Sequence, residues 1–217
     1  MTVTSEPDHR ISYLRVPDEQ DWPPEVRELA DLFSTTMGFV PNILRTFVLF
    51  PDHFLGWWGY FDDLMRGPAA ADFLLTKAQR EMVAVVVSAE NRCHYCMLAY
   101  RAACRLRIKD PVLVDRLLTN HHRADLEPAE SAMLDYAVKV ASVADKMTTE
   151  DVDVMRRVGW GDKDILHITE IVAMSSYTGR PANALGLIAN PQYGDMGRHP
   201  PRRLSTHADL SGSKRDT

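Results

Sequence analysis

No stretch of the 217 residues approaches the roughly 18 to 20 consecutive apolar residues that a membrane span requires. The opening MTVTSEPDHR is too polar for a secretory signal, so the chain is expected to be cytoplasmic. An excess of basic charge is missing as well. Twenty-five Lys and Arg against 30 Asp and Glu leave a net charge of -5, so no global field draws phosphate backbones or anionic lipid. Neither nucleic acid nor membrane is expected as a partner. Cysteine is scarce, and three are too few and too odd in number for a disulfide scaffold. In a reducing compartment, a close cysteine pair points instead to catalysis or metal binding. Strand signals are nearly absent, since only Met82 to Val87 is β-branched enough to suggest one. What remains is a 45% apolar chain that can bury a sizeable core, with one domain as the default.

Residues 1–22 are polar and aperiodic and are expected to form an amino-terminal arm. Helical periodicity then predicts an all-α domain over 23–190. A first helix from Pro23 carries Val26, Leu29, Ala30, Leu32 and Phe33 and stops at Gly38, and a short second one spans Pro41 to Phe50. A third opens at Pro51 with an aromatic face of Phe54, Trp57, Trp58 and Phe61, expected as core or subunit interface, with ligand stacking the lesser alternative. Thr76-Lys77-Ala78-Gln79 has the form of a capping box, which favours a buried helix over a strand through Met82 to Val87. Further helices are expected from Pro111, from Pro128, after a second capping box at Thr148 to Asp151, and after a cap at Asp162. Residues 191–217, rich in Pro, Gly, Ser and Arg and poor in large apolar side chains, are expected to be a flexible or subunit-crossing tail.

The informative stretch is Cys93-His94-Tyr95-Cys96. On a helix, residues three apart have β-carbons about 5 to 6 Å apart, so the two cysteines can close a disulfide with little movement. At the amino end of that helix, free N–H groups and the macrodipole would favour a thiolate on Cys93. Cys104 lies eleven residues beyond Cys93, about 16 Å along a helix at ~1.5 Å per residue, and is expected to be an apolar filler. A structural zinc site is disfavoured because no second cysteine pair exists and His121-His122 fall outside finger spacing. A thioredoxin fold would need alternating strands that are not there. The pair is thus expected to be a thiol–disulfide site.

With Glu81 twelve positions before Cys93, the chain resembles the AhpD-like peroxidases of the carboxymuconolactone decarboxylase superfamily, whose motif is Glu, eleven residues, Cys-x-x-Cys, three residues, His. Pro41-Asn42-Ile43-Leu44-Arg45, the Leu75-Thr76-Lys77 entry and Asn183-Ala184-Leu185-Gly186 extend the likeness over roughly residues 25–190. The resemblance implies an all-α fold, homo-oligomers, and reduction of a small hydroperoxide through the two cysteines with no cofactor or metal, Cys96 attacking and Cys93 resolving. The thiol reductant is left open. Helix-end electrostatics alone would instead make Cys93 the more acidic thiol.

Where the motif has its relay histidine, this chain has Tyr100. A phenol with a pKa of about 10 is a poor base at neutral pH, whereas an imidazole near ~6.5 is a good one. If two helices fold back at Asn91, Glu81 and Tyr100 are nearly equidistant from the turn and face each other, so the carboxylate could hold the phenol beside Cys96. The alternative is that Glu81 only pairs with Arg101 or Arg80. His94 could replace the missing base, although neighbouring helix positions point about 100° apart. The candidate site is therefore Cys96, Cys93, Glu81, Tyr100 and His94. Two other functions compete: lactone-acid decarboxylation, which has no evident use for a thiol pair, and a non-enzymatic redox sensor.

Overall fold

A computed structural model describes residues 10–67 and 75–198, and among these there are nine α-helices and no strand. Helix starts follow the local chemistry. Proline occupies the first turn of α1 (Pro24–Met37), α3 (Pro51–Arg66), α6 (Pro111–Asn120) and α7 (Pro128–Val143), where its missing N–H costs nothing. Between these lies the short α2 (Asn42–Phe47). Gly38 closes α1 in the left-handed region at φ 80°, and its N–H reaches the Ser34 carbonyl. The Thr76 box is formed as expected: Gln79 N–H donates to Thr76 Oγ1 at 3.2 Å and Thr76 N–H to Gln79 Oε1 at 3.0 Å. It opens α4 (Lys77–Glu90), which a tight turn joins to α5 (His94–Ile108). The Thr148 box likewise opens α8 (Thr149–Arg157). One cap differs from expectation. Gly161, not Asp162, is the cap of α9 (Asp162–Ala184), and the Asp164 carboxylate reaches back to the Gly161 N–H at 3.1 Å.

Helix α4 is the axis of the fold, packed against α3, α5, α6, α7 and α9. Every residue from Arg80 to Ser88 is buried. A helix surrounded on all sides has no solvent face to mark with polar residues, so its sequence loses the amphipathic period and imitates a strand. A second apolar cluster of Trp22, Val26, Ala30, Phe33, Leu44, Val48 and Phe54 joins α1, α2 and α3 beside the main core.

Both chain ends contribute to the body. In the expected amino-terminal arm, Tyr13 N–H donates to the Leu185 carbonyl at 2.8 Å, Ile11 accepts from Ile188 N–H at 2.8 Å, and Trp22 is buried. Asn42 and Asn190 clasp the two ends: Asn42 N–H donates to Asn190 Oδ1 at 2.7 Å, and Asn42 Nδ2 donates to the Ile188 carbonyl at 2.8 Å. The start of the expected tail is not loose. Residues 191–194 form a 3-10 turn, Tyr193 is buried edge-on against Phe39 and Tyr95, and Met196 packs on the core. Two large side chains were enough to order 191–198; the rest of the tail, 199–217, lies outside the described residues. None of the described helices is long and apolar enough to cross a membrane.

Candidate active site

Two helix ends meet at one cysteine. Helix α4 stops with Arg92 in the left-handed region at φ 51°; Arg92 N–H donates to the Ala89 carbonyl and Cys93 N–H to the Ser88 carbonyl, at 2.9 and 3.1 Å. That is the paired bonding of a Schellman cap, which satisfies carbonyls that a helix end otherwise leaves open. The same Cys93 is the N-cap of α5, where its sulfur accepts the Cys96 N–H at 3.2 Å. The position of Cys93 is thus set by the C-terminal chemistry of one helix and the N-terminal chemistry of the next.

Charge follows from that geometry. Both cysteines are free thiols and both are buried. The hydrogen bond from the Cys96 thiol, helped by the backbone N–H groups of Cys96 and Tyr95, pulls the Cys93 thiol below its ordinary range against the opposing effect of burial. The same shared hydrogen bond, together with burial, pushes Cys96 up, so Cys93 is the more acidic thiol of the pair. Cys104 is buried one helix face away and pushed up chiefly by burial, as suits an inert filler.

Cys96 lies on the wall of a cavity of about 530 Å³, formed mainly by α1, α2, α3 and α5. Glu81, Tyr95, Tyr100 and Tyr193 share that wall, and Trp57, Trp58, Phe61 and Phe54 of α3 face it. The aromatic stripe expected as core or subunit interface packs in part with the second apolar cluster and also lines a chamber beside the sulfur. Trp57 stacks on Phe61 with centroids 5.2 Å apart, and its indole N–H is buried without a hydrogen-bond partner.

Glu81 is buried, with Oε2 lacking any hydrogen-bond partner. Desolvation raises its pKa to about 7, against the milder opposing pull of Arg66 and Arg107. The pairing alternative does not hold: Arg101 bonds Asp115 at 2.7 Å, and Arg80 donates to the Leu64 and Gly67 carbonyls. The hairpin brings Glu81 and Tyr100 to one cavity as expected, but no hydrogen bond joins them among the described residues. Instead Tyr100 has Ser175 of α9 beside its hydroxyl, and burial, then the neighbouring Cys96 sulfur, hold its phenol well above the usual range. At neutral pH it stays protonated, able to donate a hydrogen bond but not to act as a base.

His94 departs from expectation. It is the first residue of α5 and exposed, while the flanking Cys93 and the cavity-lining Cys96 are buried, and it does not line the chamber beside Cys96. Tyr95, one position on, turns inward and its hydroxyl accepts the Ile43 N–H at 3.3 Å. Sequence reasoning missed Trp57 as a polar group, Ser175, Tyr193 and Gly179. At Gly179 a β-carbon would stand 3.5 Å from the Cys93 β-carbon, so α9 presses its backbone against the cysteine turn there. Only the small residue at 179 hinted at such an approach.

An all-helical body, with a two-cysteine turn closing its central hairpin and a buried carboxyl one chamber wall away, defines a protein of the AhpD type. No protein-family model matches the chain, and no curated protein does. Among solved structures, an uncharacterized peroxidase-related protein from Ralstonia eutropha JMP134, described as an alkylhydroperoxidase AhpD core, is 35% identical; the match covers 88% of this chain and 99% of that one at a TM-score of 0.83. A second peroxidase-related protein, from Silicibacter sp. TM1040, is 30% identical over 90% of this chain and all of its own, at a TM-score of 0.82. The chain belongs to this AhpD-like, peroxidase-related family of the carboxymuconolactone decarboxylase superfamily. The debrominase Bmp8, solved in complex with 2,3,4-tribromopyrrole, shares the fold at 16% identity and a TM-score of 0.69, so this architecture hosts more than one activity.

Proposed function

We propose that the protein is a thiol-dependent peroxidase that reduces an organic hydroperoxide at Cys96, with Cys93 as the resolving thiol and Glu81 as the proton acceptor. The observation that carries this reading is the placement of Cys96 on a chamber wall shared with a carboxyl that titrates near neutrality. Cys96 loses its proton to Glu81, and the thiolate attacks the terminal peroxide oxygen. The S–O bond forms, the O–O bond breaks, and the alkoxide leaves as an alcohol with the proton returned by Glu81. The Cys93 thiolate then attacks the Cys96 sulfur of the sulfenic acid. A disulfide forms and hydroxide leaves as water with a proton drawn from solvent, the Cys96 proton having already gone to the alcohol. An external dithiol restores the pair by exchange. This order assigns attack to the sulfur with access and resolution to the more acidic sulfur, consistent with the helix-end stabilisation of Cys93.

The tested outcome is direct. Fully reduced protein given one equivalent of cumene hydroperoxide should lose two thiols to a Cys93–Cys96 disulfide, and should consume peroxide continuously when a dithiol is supplied. A single stoichiometric oxidation without turnover would favour the sensor; no disulfide and no peroxide loss would refute both. The aromatic lining of the chamber supports a second substrate type for the same pair, a small aromatic molecule reduced by the thiols. Turnover of a halogenated pyrrole in place of the peroxide would favour that reading.

A further inference from the structure

We propose that His121, His122 and Asp135 form a zinc-binding site separate from the cysteine pair. The two histidines are useless as partners for Cys93 and Cys96, but the fold delivers them to a different ligand. Asn120 ends α6 and its side-chain oxygen accepts the His122 N–H at 3.2 Å, winding His121–Arg123 into a 3-10 turn closed by Ala124 N–H on the His121 carbonyl. Successive residues of such a turn ordinarily point about 120° apart. Here the two imidazoles lie side by side, with ring centroids 4.1 Å apart, and both reach toward Asp135 on α7. Asp135 Oδ1 is 2.7 Å from His121 Nε2 and 3.5 Å from His122 Nδ1, and the three donor atoms all fall within 4.8 Å of one another.

Those spacings suit a tetrahedral ion. With Zn–N and Zn–O bonds of about 2.0 to 2.2 Å, ligand atoms stand roughly 3.3 to 3.5 Å apart, so small side-chain rotations would centre an ion among the three. One ring offers its far nitrogen and the other its near nitrogen, which lets two consecutive residues address a single point. Two imidazoles and one carboxylate are a borderline donor set that zinc accepts readily, whereas calcium and magnesium demand oxygen. The exposures fit an open fourth position: the His121 side chain is 11% exposed, His122 65% and Asp135 52%. A bound ion would fasten the 121–127 connection to α7, whose inner face of Met133, Leu134 and Ala137 is buried in the core next to the helix that carries Glu81.

The experiment is calorimetric titration of zinc chloride into the full chain with the Cys93–Cys96 disulfide formed, and into the C93S/C96S variant, so that thiolates supply no ligand. One equivalent should bind in both, and His122→Gln and Asp135→Asn should each weaken it at least about tenfold. His122 is largely exposed, so its replacement leaves the fold intact and makes the loss interpretable. Cobalt bound in place of zinc should give visible d–d bands without a thiolate charge-transfer band, and zinc should raise the melting temperature of the parent but not of His122→Gln. No binding of zinc, or binding that survives both substitutions, would overturn the site.

Discussion

Two corners of this molecule are built from the same parts and end in opposite electrostatic states. At the α7–α8 corner, Asp151 accepts four hydrogen bonds: two from Lys139 Nζ at 2.6 and 2.7 Å, one from Thr148 N–H at 2.7 Å and one from Thr148 Oγ1 at 2.9 Å. The Lys139 bond first, then those from Thr148, hold its pKa down to about 2. At the α4–α5 hairpin, Glu81 follows an equally well-formed capping box by two residues, yet Oε2 has no partner and burial lifts the pKa to about 7. A carboxylate that is fully satisfied stabilises a corner and does nothing else. One that is buried and left unsatisfied destabilises its ionised form, and in exchange can move a proton at neutral pH.

Replacing Glu81 breaks that contrast most severely. Glu81→Gln should lower peroxide turnover by about a hundredfold or more and erase any rise of rate through pH 7, because the amide cannot take the Cys96 proton. The stability consequence has a definite sign. Glu81 has its folded pKa raised from 4.5 to about 7, so the stability gained from keeping it protonated is complete below about 4.5 and is lost as pH climbs through 7. At about 1.36 kcal/mol per pKa unit the parent should weaken by something of the order of 3 kcal/mol between pH 4.5 and 8, and Glu81→Gln should not. Asp151 behaves in the reverse sense: its contribution is present above the ordinary carboxylate range and is lost only as pH falls through about 2. Urea unfolding of parent and Glu81→Gln at pH 5 and pH 8 checks the Glu81 half. Equal pH dependence in parent and variant would mean that Glu81 is ionised at no cost in the fold.

A smaller effect sharpens the comparison from the sulfur side. Tyr100 shares the chamber with Glu81 and Cys96 but cannot serve as a base, because burial and the neighbouring Cys96 sulfur hold its phenol far up. Tyr100→His should place a group with a pKa of about 6.5 beside Cys96 and raise turnover at pH 7 by at least about tenfold. Peroxide consumption by the two proteins measures it, and an unchanged rate would remove Tyr100 from the proton path.

How much of this was visible in the sequence depended on how local each cause is. The caps at Thr76 and Thr148, the hairpin turn near Asn91 and the helical nature of Met82 to Val87 all follow from neighbours within a few residues. The expected cap at Asp162 missed by one residue: Gly161 is the cap, and the Asp164 carboxylate bonds its N–H. Orientation inside the site was not legible. Tyr100 turns to Ser175, seventy-five positions away, and His94 turns outward, because α9 and α2 decide which face of α5 is covered. The chamber itself was hidden because a ring lining a cavity and a ring filling a core have the same pattern. Residues 191–198 looked too polar to order, and the reason they pack is a place for Tyr193 between Phe39 and Tyr95 that only the fold creates.

Removing the hydroxyl cap tests the satisfied corner alone. Thr148→Ala should cost about 1 kcal/mol, a drop in melting temperature of roughly 2 to 4 °C for a chain of this size, with peroxide turnover unchanged. A loss of turnover would show that the two corners are coupled through α7 and α4, not independent.

The least expected change lies at the turn between the two helices. Arg92 adopts φ 51°, a conformation that costs an ordinary residue about 1 to 2 kcal/mol and glycine almost nothing. Glycine, however, gains about 0.4 to 1 kcal/mol of chain freedom in the unfolded state, which offsets much of that relief. Arg92→Gly should therefore stabilise by about 1 kcal/mol or less. The Schellman bonds from residues 92 and 93 use only backbone N–H groups, so Cys93 keeps its place as cap and its depressed pKa. Thiol alkylation rates as a function of pH should accordingly be the same in Arg92→Gly and the parent. A shift of the Cys93 titration in that variant would mean that the arginine side chain, not the paired helix ends, holds the charge on this sulfur.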